Sequence, residues 1–164
     1  GAARNPCPGG PLTDARKART CAPREGQRYR SRLSGPMLDR IDLHVEVPAV
    51  PFEDLNRDAP GKSTLEMRRE VAAARERQSV RFRNSPFRCN AELSGREFEM
   101  HCKTGSDGRA FLSEAMDALN LSARAYTRVL RIARTIADLE ARPDIDTSHL
   151  AEAINCRALD RARA

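Results

Sequence analysis

A glycine and a lysine at the start of a helical pattern have the most recognisable chemistry in this sequence. Residues 61–64 read Gly-Lys-Ser-Thr, the end of a glycine-rich loop whose backbone N–H groups wrap phosphates. Such a loop needs a glycine five positions earlier, where this chain has Asn56, and a buried strand before it, where residues 52–55 are partly acidic. We therefore interpret Ser63 as an ordinary helix N-cap.

A row of arginines at helical spacing is the second group that could do chemistry. The row consists of Arg124, Arg128, Arg131 and Arg134. A solvated face opposite an apolar face explains most of the row. It explains Arg124 least, because the first turn of a helix disfavours a cation unless an anion lies near.

Metal and nucleophile chemistry find little support in the sequence. Cys7 and Cys21 lack the close partners that a structural zinc site requires, and the three histidines are scattered. The carboxylates within residues 39–46 are better interpreted as charges on a strand than as a catalytic pair. We predict no metal site and no nucleophile triad.

Composition and charge exclude several classes of protein. The chain has 164 residues with a net charge of +6, and residues 63–91 carry seven basic and three acidic side chains. This imbalance is compatible with a polyanionic partner or with a solvated arginine-rich surface. No apolar run approaches the roughly 20 residues that cross a bilayer. Five cysteines, an odd number, without an export signal favour the cytoplasm.

The first third of the chain predicts little regular structure. Residues 1–32 contain a single aliphatic core residue, Leu12, and are expected to form a flexible arm. Within residues 41–47, apolar and polar side chains alternate, which predicts one half-buried strand with Ile41, Leu43, Val45 and Val47 on its apolar face. One strand cannot form a sheet, so its neighbours are expected outside this chain, as in a fragment.

Helical patterns dominate after residue 60. Capping signals and apolar spacing predict a long helix over 63–82, with a thin apolar stripe, and four helices beyond it. Those four are expected over 94–102, from Ser106 or Asp107, from Ser122 to the Arg142-Pro143 break, and from Asp146 or Thr147. The predicted domains are residues 1–60, a connecting region 61–91, and a helical bundle 92–164.

Three stretches together resemble the magnesium-chelatase-like AAA+ ATPases of ComM/YifB type. They are Ala-Ala-Arg-Asn-Pro-Cys-Pro at 2–8, Ser-Gly-Pro-Met-Leu-Asp-Arg-Ile-Asp at 34–42, and Leu-Ser-Ala-Arg-Ala-Tyr at 121–126. The resemblance implies a mainly α fold: the helical lid bundle of an AAA+ ATPase, preceded by a long helix and a remnant of the α/β core. The segments that bind ATP and Mg²⁺ in that family are absent and are expected before residue 1.

The resemblance also implies roles for three residues. Asn5 matches the sensor that orients the attacking water or the γ-phosphate, and Arg40 matches the arginine finger that reaches a neighbouring subunit's ATP. Arg124 matches the lid sensor that touches phosphates. A finger acting between subunits implies a homo-oligomeric ring, with a hexamer expected. Gly9 and Arg19 replace two of the four cysteines that many relatives carry, so a metal cluster there is not expected.

Three functions remain open from the sequence. The first is an ATPase that remodels DNA by branch migration during competence, as the resemblance implies. The second is the ATPase motor subunit of a magnesium chelatase. The third is a non-enzymatic nucleic-acid-binding helical module, which the basic helix allows but which leaves Asn5, Arg40 and Arg124 without a shared role.

Overall fold

The computed structural model describes residues 3, 40–45, 47, 50 and 61–157. The chain divides into two compact units: Gly1–Ile41 with Val45–Ala59, and Asp42–His44 with Pro60–Ala164. The second unit is helical, which confirms the predicted mainly α fold. The flexible arm predicted for residues 1–32 lies, apart from Ala3, outside the described residues.

The described residues of the second unit form five α-helices and one short 3-10 turn. The 3-10 turn spans Asn90–Glu92 and lies between the first two helices. The helices are α1 Thr64–Arg81, α2 Gly95–His101, α3 Ser106–Ala118, α4 Ala123–Leu139 and α5 Thr147–Asn155. All five begin within a residue or two of the predicted positions. Helix α4 packs against α5, α1 and the 3-10 turn, and α3 packs against α5.

Capping side chains explain where three of the helices begin. The Ser63 hydroxyl accepts from the Glu66 backbone N–H at 3.2 Å, and the Glu66 carboxylate accepts from the Ser63 N–H at 2.7 Å. Ser122 caps α4 by accepting from the Ala125 N–H at 3.2 Å. Asp146 accepts from backbone N–H groups in the first turn of α5. Ser94 occupies the predicted cap of α2 without making a side-chain cap bond.

The core is apolar and is centred on α4 and α5. Its buried members come from α3, α4 and α5, from the residues that directly follow α1 and α2, and from two connecting segments. They are Phe82, Leu93, Cys102, Leu112, Val129, Leu130, Ala133, Ile136, Ile145, Leu150, Ala153 and Ile154. The three- and four-residue spacing predicted for α4 therefore marks the face that is buried.

The apolar stripe predicted for α1 is not the face that packs. Leu65, Val71 and Val80 are each more than half exposed, whereas the buried residues of α1 are Ala74 and Gln78. The face of α1 that packs against α4 is instead the one that carries polar contacts to α4, among them the bond from Arg81 to Asp138. The prediction of α1 was correct in extent, and the stripe was thin as predicted.

The strand predicted for residues 41–47 is reduced to one bridge among the described residues. His44 forms a single parallel bridge with Arg157, and the predicted apolar face is exposed by 53% at Leu43, 76% at Val45 and 82% at Val47. A ladder needs a neighbouring strand for its alternate N–H and C=O groups. Within the described residues only the end of α5 supplies such a partner.

Candidate functional site

The Gly-Lys-Ser-Thr segment serves a helix terminus, as predicted. The Lys62 ammonium donates to both Glu70 carboxylate oxygens, at 2.7 and 3.0 Å, and Ser63 forms the capping box with Glu66. The hydrogen bond and the charge of Glu70 raise the pKa of Lys62. The Lys62 side chain thus binds a carboxylate of α1. Together with the capping box at Ser63, this contact confirms the interpretation of Ser63 as an N-cap.

Arg124 lies in the first turn of α4, two residues after the Ser122 cap. Its side chain is exposed, and its carbonyl accepts from the Thr127 hydroxyl at 3.0 Å, so the backbone beneath it is held in place. The N-terminal end of a helix carries a partial positive charge, which adds to that of the guanidinium. This end of α4 is therefore suited to an anion such as a phosphate.

Arg40 belongs to the other unit and lies in a turn with its side chain exposed. An exposed guanidinium can bind an external anion. Asn5 lies outside the described residues. The roles assigned to Asn5, Arg40 and Arg124 therefore stay predictions.

The other arginines of the α4 row are not a solvated face. Arg131 donates to the Leu93 carbonyl from Nε at 3.0 Å and from Nη2 at 2.5 Å. Arg134 is 3% exposed and donates to the Pro143 carbonyl at 2.6 Å. Arg128 contacts Asp42 at 3.1 Å with its side chain only 15% exposed. The sequence interpretation was wrong for these three, because each binds a carbonyl or carboxylate of a segment outside α4.

A buried ion network joins α1 to α4 around the Asp138 carboxylate. Arg81 binds it with two parallel bonds of 2.7 and 2.5 Å, Asn90 donates to it at 2.8 Å, and Arg134 lies 3.1 Å away. Asp138 is fully buried. Burial alone would raise the pKa of Asp138, but the hydrogen bonds from Arg81 and Asn90, with the two arginine charges, hold it below its ordinary value.

Sequence reasoning missed the Asp138 network, although one signal was available. Asp138 lies between Ala137 and Leu139 within the apolar spacing of α4, where an unpaired carboxylate would be costly. A charge at such a position indicates a buried partner from another segment. Which arginine supplies it cannot be read from the local pattern.

The segment Asp42–His44 packs against the ends of α4 and α5. Besides the contact between Asp42 and Arg128, the Arg157 Nη1 donates to the Asp42 carbonyl at 3.2 Å. The His44 N–H donates to the Cys156 carbonyl at 2.6 Å, and the His44 side chain is 5% exposed. Three residues from the first third of the chain are thereby joined to the helical bundle.

Metal-binding groups are not assembled in the part of the chain that the structure describes. There, no three His, Cys, Asp or Glu side chains lie close enough to hold a metal ion. Cys7 and Cys21 lie outside that part. Of the groups implied by the resemblance, the phosphates of ATP fit exposed cations such as Arg124, whereas the described residues offer no acidic cluster for Mg²⁺.

Two family models match almost the whole chain. Residues 61–157 match the model described as magnesium chelatase, subunit ChlI C-terminal, and residues 2–55 match magnesium chelatase, subunit ChlI. The chain belongs to the magnesium chelatase ChlI family. The ChlI C-terminal match covers all five helices, including α4 with Arg124, and the ChlI match includes Asn5 and Arg40.

Several bacterial proteins are similar to this chain in amino-acid sequence. The chain is 42% identical to the competence protein ComM of Haemophilus influenzae and 41% identical to the uncharacterized protein YifB of Salmonella typhimurium, each over 98% of its length. It is 37% identical, over 94% of its length, to the uncharacterized protein Mb2921c of Mycobacterium bovis. The chain spans less than a third of each relative, from 30% to 31%.

No helix among the described residues combines the length and the apolar composition that crossing a membrane would require. The long helix α1 carries arginines and glutamates along its whole length. The other helices of this ChlI-family chain are shorter than α1.

Proposed function

We propose that this chain is the C-terminal region of a ComM/YifB-type AAA+ ATPase and acts in the cytoplasm as part of a longer protein. Its contribution is three polar side chains, Asn5, Arg40 and Arg124, for the hydrolysis of ATP bound elsewhere in the assembly. The observation that carries the proposal is Arg124, an exposed guanidinium held at the positive end of α4 by the Ser122 cap. An anionic ligand stabilises a cation at the positive end of a helix.

The chemistry of phosphoryl transfer suits this set of residues. Its transition state spreads charge over the phosphate oxygens, so catalysis depends on placing positive charge. Arg124 and Arg40 can each donate two parallel bonds to phosphate oxygens, and Asn5 can orient a water through its amide. Mg²⁺ bound with ATP would neutralise phosphate charge, using ligands from outside the described residues.

A homo-oligomeric ring follows from the proposed role of Arg40. A finger that acts on a neighbour's nucleotide requires a head-to-tail interface, which closes into a ring. A hexamer is the assembly that we propose. Size measurement of the full-length protein with and without ATP tests this part directly.

DNA is the substrate that we propose for remodelling, with branch migration during competence as the process. The relative named competence protein ComM supports this choice. So does the surface of α1, where Arg68, Arg69 and Arg75 are all exposed. Exposed arginines on one helix can bind a phosphate backbone without reading its sequence.

A magnesium chelatase motor subunit is the second candidate, favoured by the description of the matching family models. DNA binding separates the two candidates. The first predicts salt-dependent binding that weakens by about tenfold when Arg68, Arg69 and Arg75 are replaced by glutamine. Binding that is undetectable at low salt would favour the chelatase role.

Substitution of Arg40 in the full-length protein tests the ATPase proposal. Arg40→Ala should lower kcat by about 10³-fold, the low end for an arginine finger, while nucleotide affinity changes by a few-fold at most. Arg109→Ala, an exposed arginine of α3, is the matched control and should retain full activity. A mixing experiment tests whether Arg40 acts between subunits. Arg40→Ala subunits should regain ATPase activity in rings with subunits that lack the nucleotide-binding lysine but keep Arg40, because an intact arginine then faces an intact nucleotide site.

Three results would contradict the ATPase proposal. The first is unchanged turnover in Arg40→Ala, and the second is no recovery in mixed rings whose composition has been verified. The third is DNA binding by a full-length protein that has no ATPase activity, which would favour the non-enzymatic nucleic-acid-binding module.

A further inference from the structure

The junction between the segment Asp42–His44 and the helical bundle is the feature that the proposed function leaves without a role. Among the described residues, its contacts include three polar bonds and the backbone bridge to which one of those bonds belongs. They are Arg128 Nε to Asp42 Oδ1 at 3.1 Å, Arg157 Nη1 to the Asp42 carbonyl at 3.2 Å, the His44 N–H to the Cys156 carbonyl at 2.6 Å, and the parallel bridge between His44 and Arg157.

The junction has a covered side and an exposed side. Arg157 is 2% exposed, His44 is 5% exposed and the Arg128 side chain is 15% exposed, whereas the Asp42 side chain is 62% exposed. The bond between Arg157 and Asp42 joins residues 115 positions apart, so it does not arise from local chain geometry. Because an ion pair to an exposed carboxylate is weak by itself, the covered arginines and the backbone bond of His44 hold the segment together with it.

Chain connectivity links this junction to Arg40. Arg40 precedes Asp42 by two residues, and two residues span at most about 7 Å of extended backbone. Fixing the backbone at Asp42 and His44 therefore limits the space that the Arg40 backbone can sample. A charged group that acts on a reacting phosphate loses much of its effect when it is misplaced by about 1 Å.

We propose that Arg128 is a positioning residue for Arg40: by holding Asp42 against α4, it restricts the start of the segment that carries the proposed finger. This inference rests on the proposed function of Arg40. It assigns the second arginine of the α4 row a role distinct from that of Arg124, which lies one turn earlier and is exposed.

Amide exchange in the 164-residue chain tests the junction itself. Asp42→Asn is the first variant, because Asp42 is exposed and its replacement does not endanger folding. We expect exchange of the His44 N–H to accelerate at least threefold in Asp42→Asn and at least tenfold in Arg128→Ala. The double variant should be no faster than Arg128→Ala, and Arg128→Lys should restore part of the protection. Unchanged exchange at His44 in both single variants would overturn the proposal.

Arg131→Ala is the matched control for loss of an α4 arginine. It removes the bonds to the Leu93 carbonyl and leaves Asp42 untouched. We expect it to accelerate exchange near Leu93, with no effect at His44 beyond the change in global stability. Equal acceleration at His44 in Arg131→Ala and Arg128→Ala would mean general loosening of the bundle and would overturn the assignment.

Steady-state ATPase kinetics in the full-length protein test the consequence for Arg40. Arg128→Ala should lower kcat about tenfold while KM for ATP changes less than twofold. In an Arg40→Ala background the same substitution should cause no further loss, because Arg128 acts through Arg40.

The two proposals fail in different ways. If Arg40→Ala is inactive but Arg128→Ala and Asp42→Asn both keep full kcat, the positioning role is overturned and the finger stands. If Arg40→Ala keeps full kcat, the proposed function of Arg40 fails, and the positioning role fails with it.

Discussion

Removing the Asp138 carboxylate should strongly destabilise the helical unit. Asp138→Ala leaves the guanidinium groups of Arg81 and Arg134 under cover without their shared counter-charge. Arg81 retains a bond to the Asn90 side chain at 2.9 Å, and Arg134 retains the carbonyls of two neighbouring residues. Both arginines thus keep some partners, but α1 loses its strongest link to α4.

The magnitude follows from these remaining contacts. Removing one partner of a buried ion pair costs about 3–5 kcal/mol of the free energy of unfolding. Because both arginines keep carbonyl or amide acceptors, we expect about 3 kcal/mol for Asp138→Ala. A small domain is stable by about 5–15 kcal/mol, so this loss is a large fraction of the total.

Urea unfolding followed by circular dichroism measures this effect. With a slope of about 1–3 kcal/mol per molar urea, the midpoint should fall by about 1–3 M. Asp144→Asn, an exposed carboxylate after α4, is the control and should shift stability by less than about 0.5 kcal/mol. The Arg81→Ala and Asp138→Ala losses should not add, because the two side chains share one interaction. A loss below about 1 kcal/mol for Asp138→Ala would refute the reasoning.

Acid should weaken the same network. Folding lowers the pKa of Asp138, so the carboxylate contributes stability that is fully present above its ordinary pKa of 3.8. That contribution decreases as the pH falls below 3.8 and is lost as the pH passes through the lower pKa of the folded state. Unfolding measured between pH 6 and pH 2 should therefore show a shallower loss of stability in Asp138→Asn than in the parent chain.

Three further predictions concern packing, backbone strain and thiol reactivity. Gly108→Ala should cost about 1–3 kcal/mol in urea unfolding, since its Cβ would lie 3.0 Å from the Thr104 Cβ. Gly61→Ala, whose Cβ meets nothing within 4 Å, is the control and should be close to neutral. Ala141→Gly should raise the free energy of unfolding by about 0.5–1 kcal/mol. Ala141 follows the C-cap of α4 at a φ of 58°, which glycine adopts without strain, and a loss of stability would contradict this reasoning. Burial raises the pKa of the Cys102 thiol to about 11, so alkylation mapped by mass spectrometry at pH 8 should leave it unmodified until the chain unfolds, and rapid labelling of the folded chain would count against its burial.

The sequence by itself determined the helices and their starting points. Ser63, Ser122 and Asp146 cap the helices that they were predicted to begin, because capping is a local bond between a side chain and an N–H two or three residues away. The buried face of α4 was predictable for a similar reason, since its apolar residues recur at helical spacing. For the proposed site, resemblance to a family was enough to single out Asn5, Arg40 and Arg124 in the sequence.

Only the tertiary structure decided which polar groups meet. Arg81 reaches Asp138 across 57 residues, and Arg128 reaches Asp42 across a longer separation still. No local pattern encodes such pairs, because a charged side chain on a helix looks the same in sequence whether water or a distant carboxylate solvates it. For the same reason, the face by which α1 packs could not be read from its thin apolar stripe. Because an unpaired carboxylate buried at Asp138 would be costly, the orientation of α1 that brings Arg81 to it is favoured, and these two side chains meet only when the chain has folded.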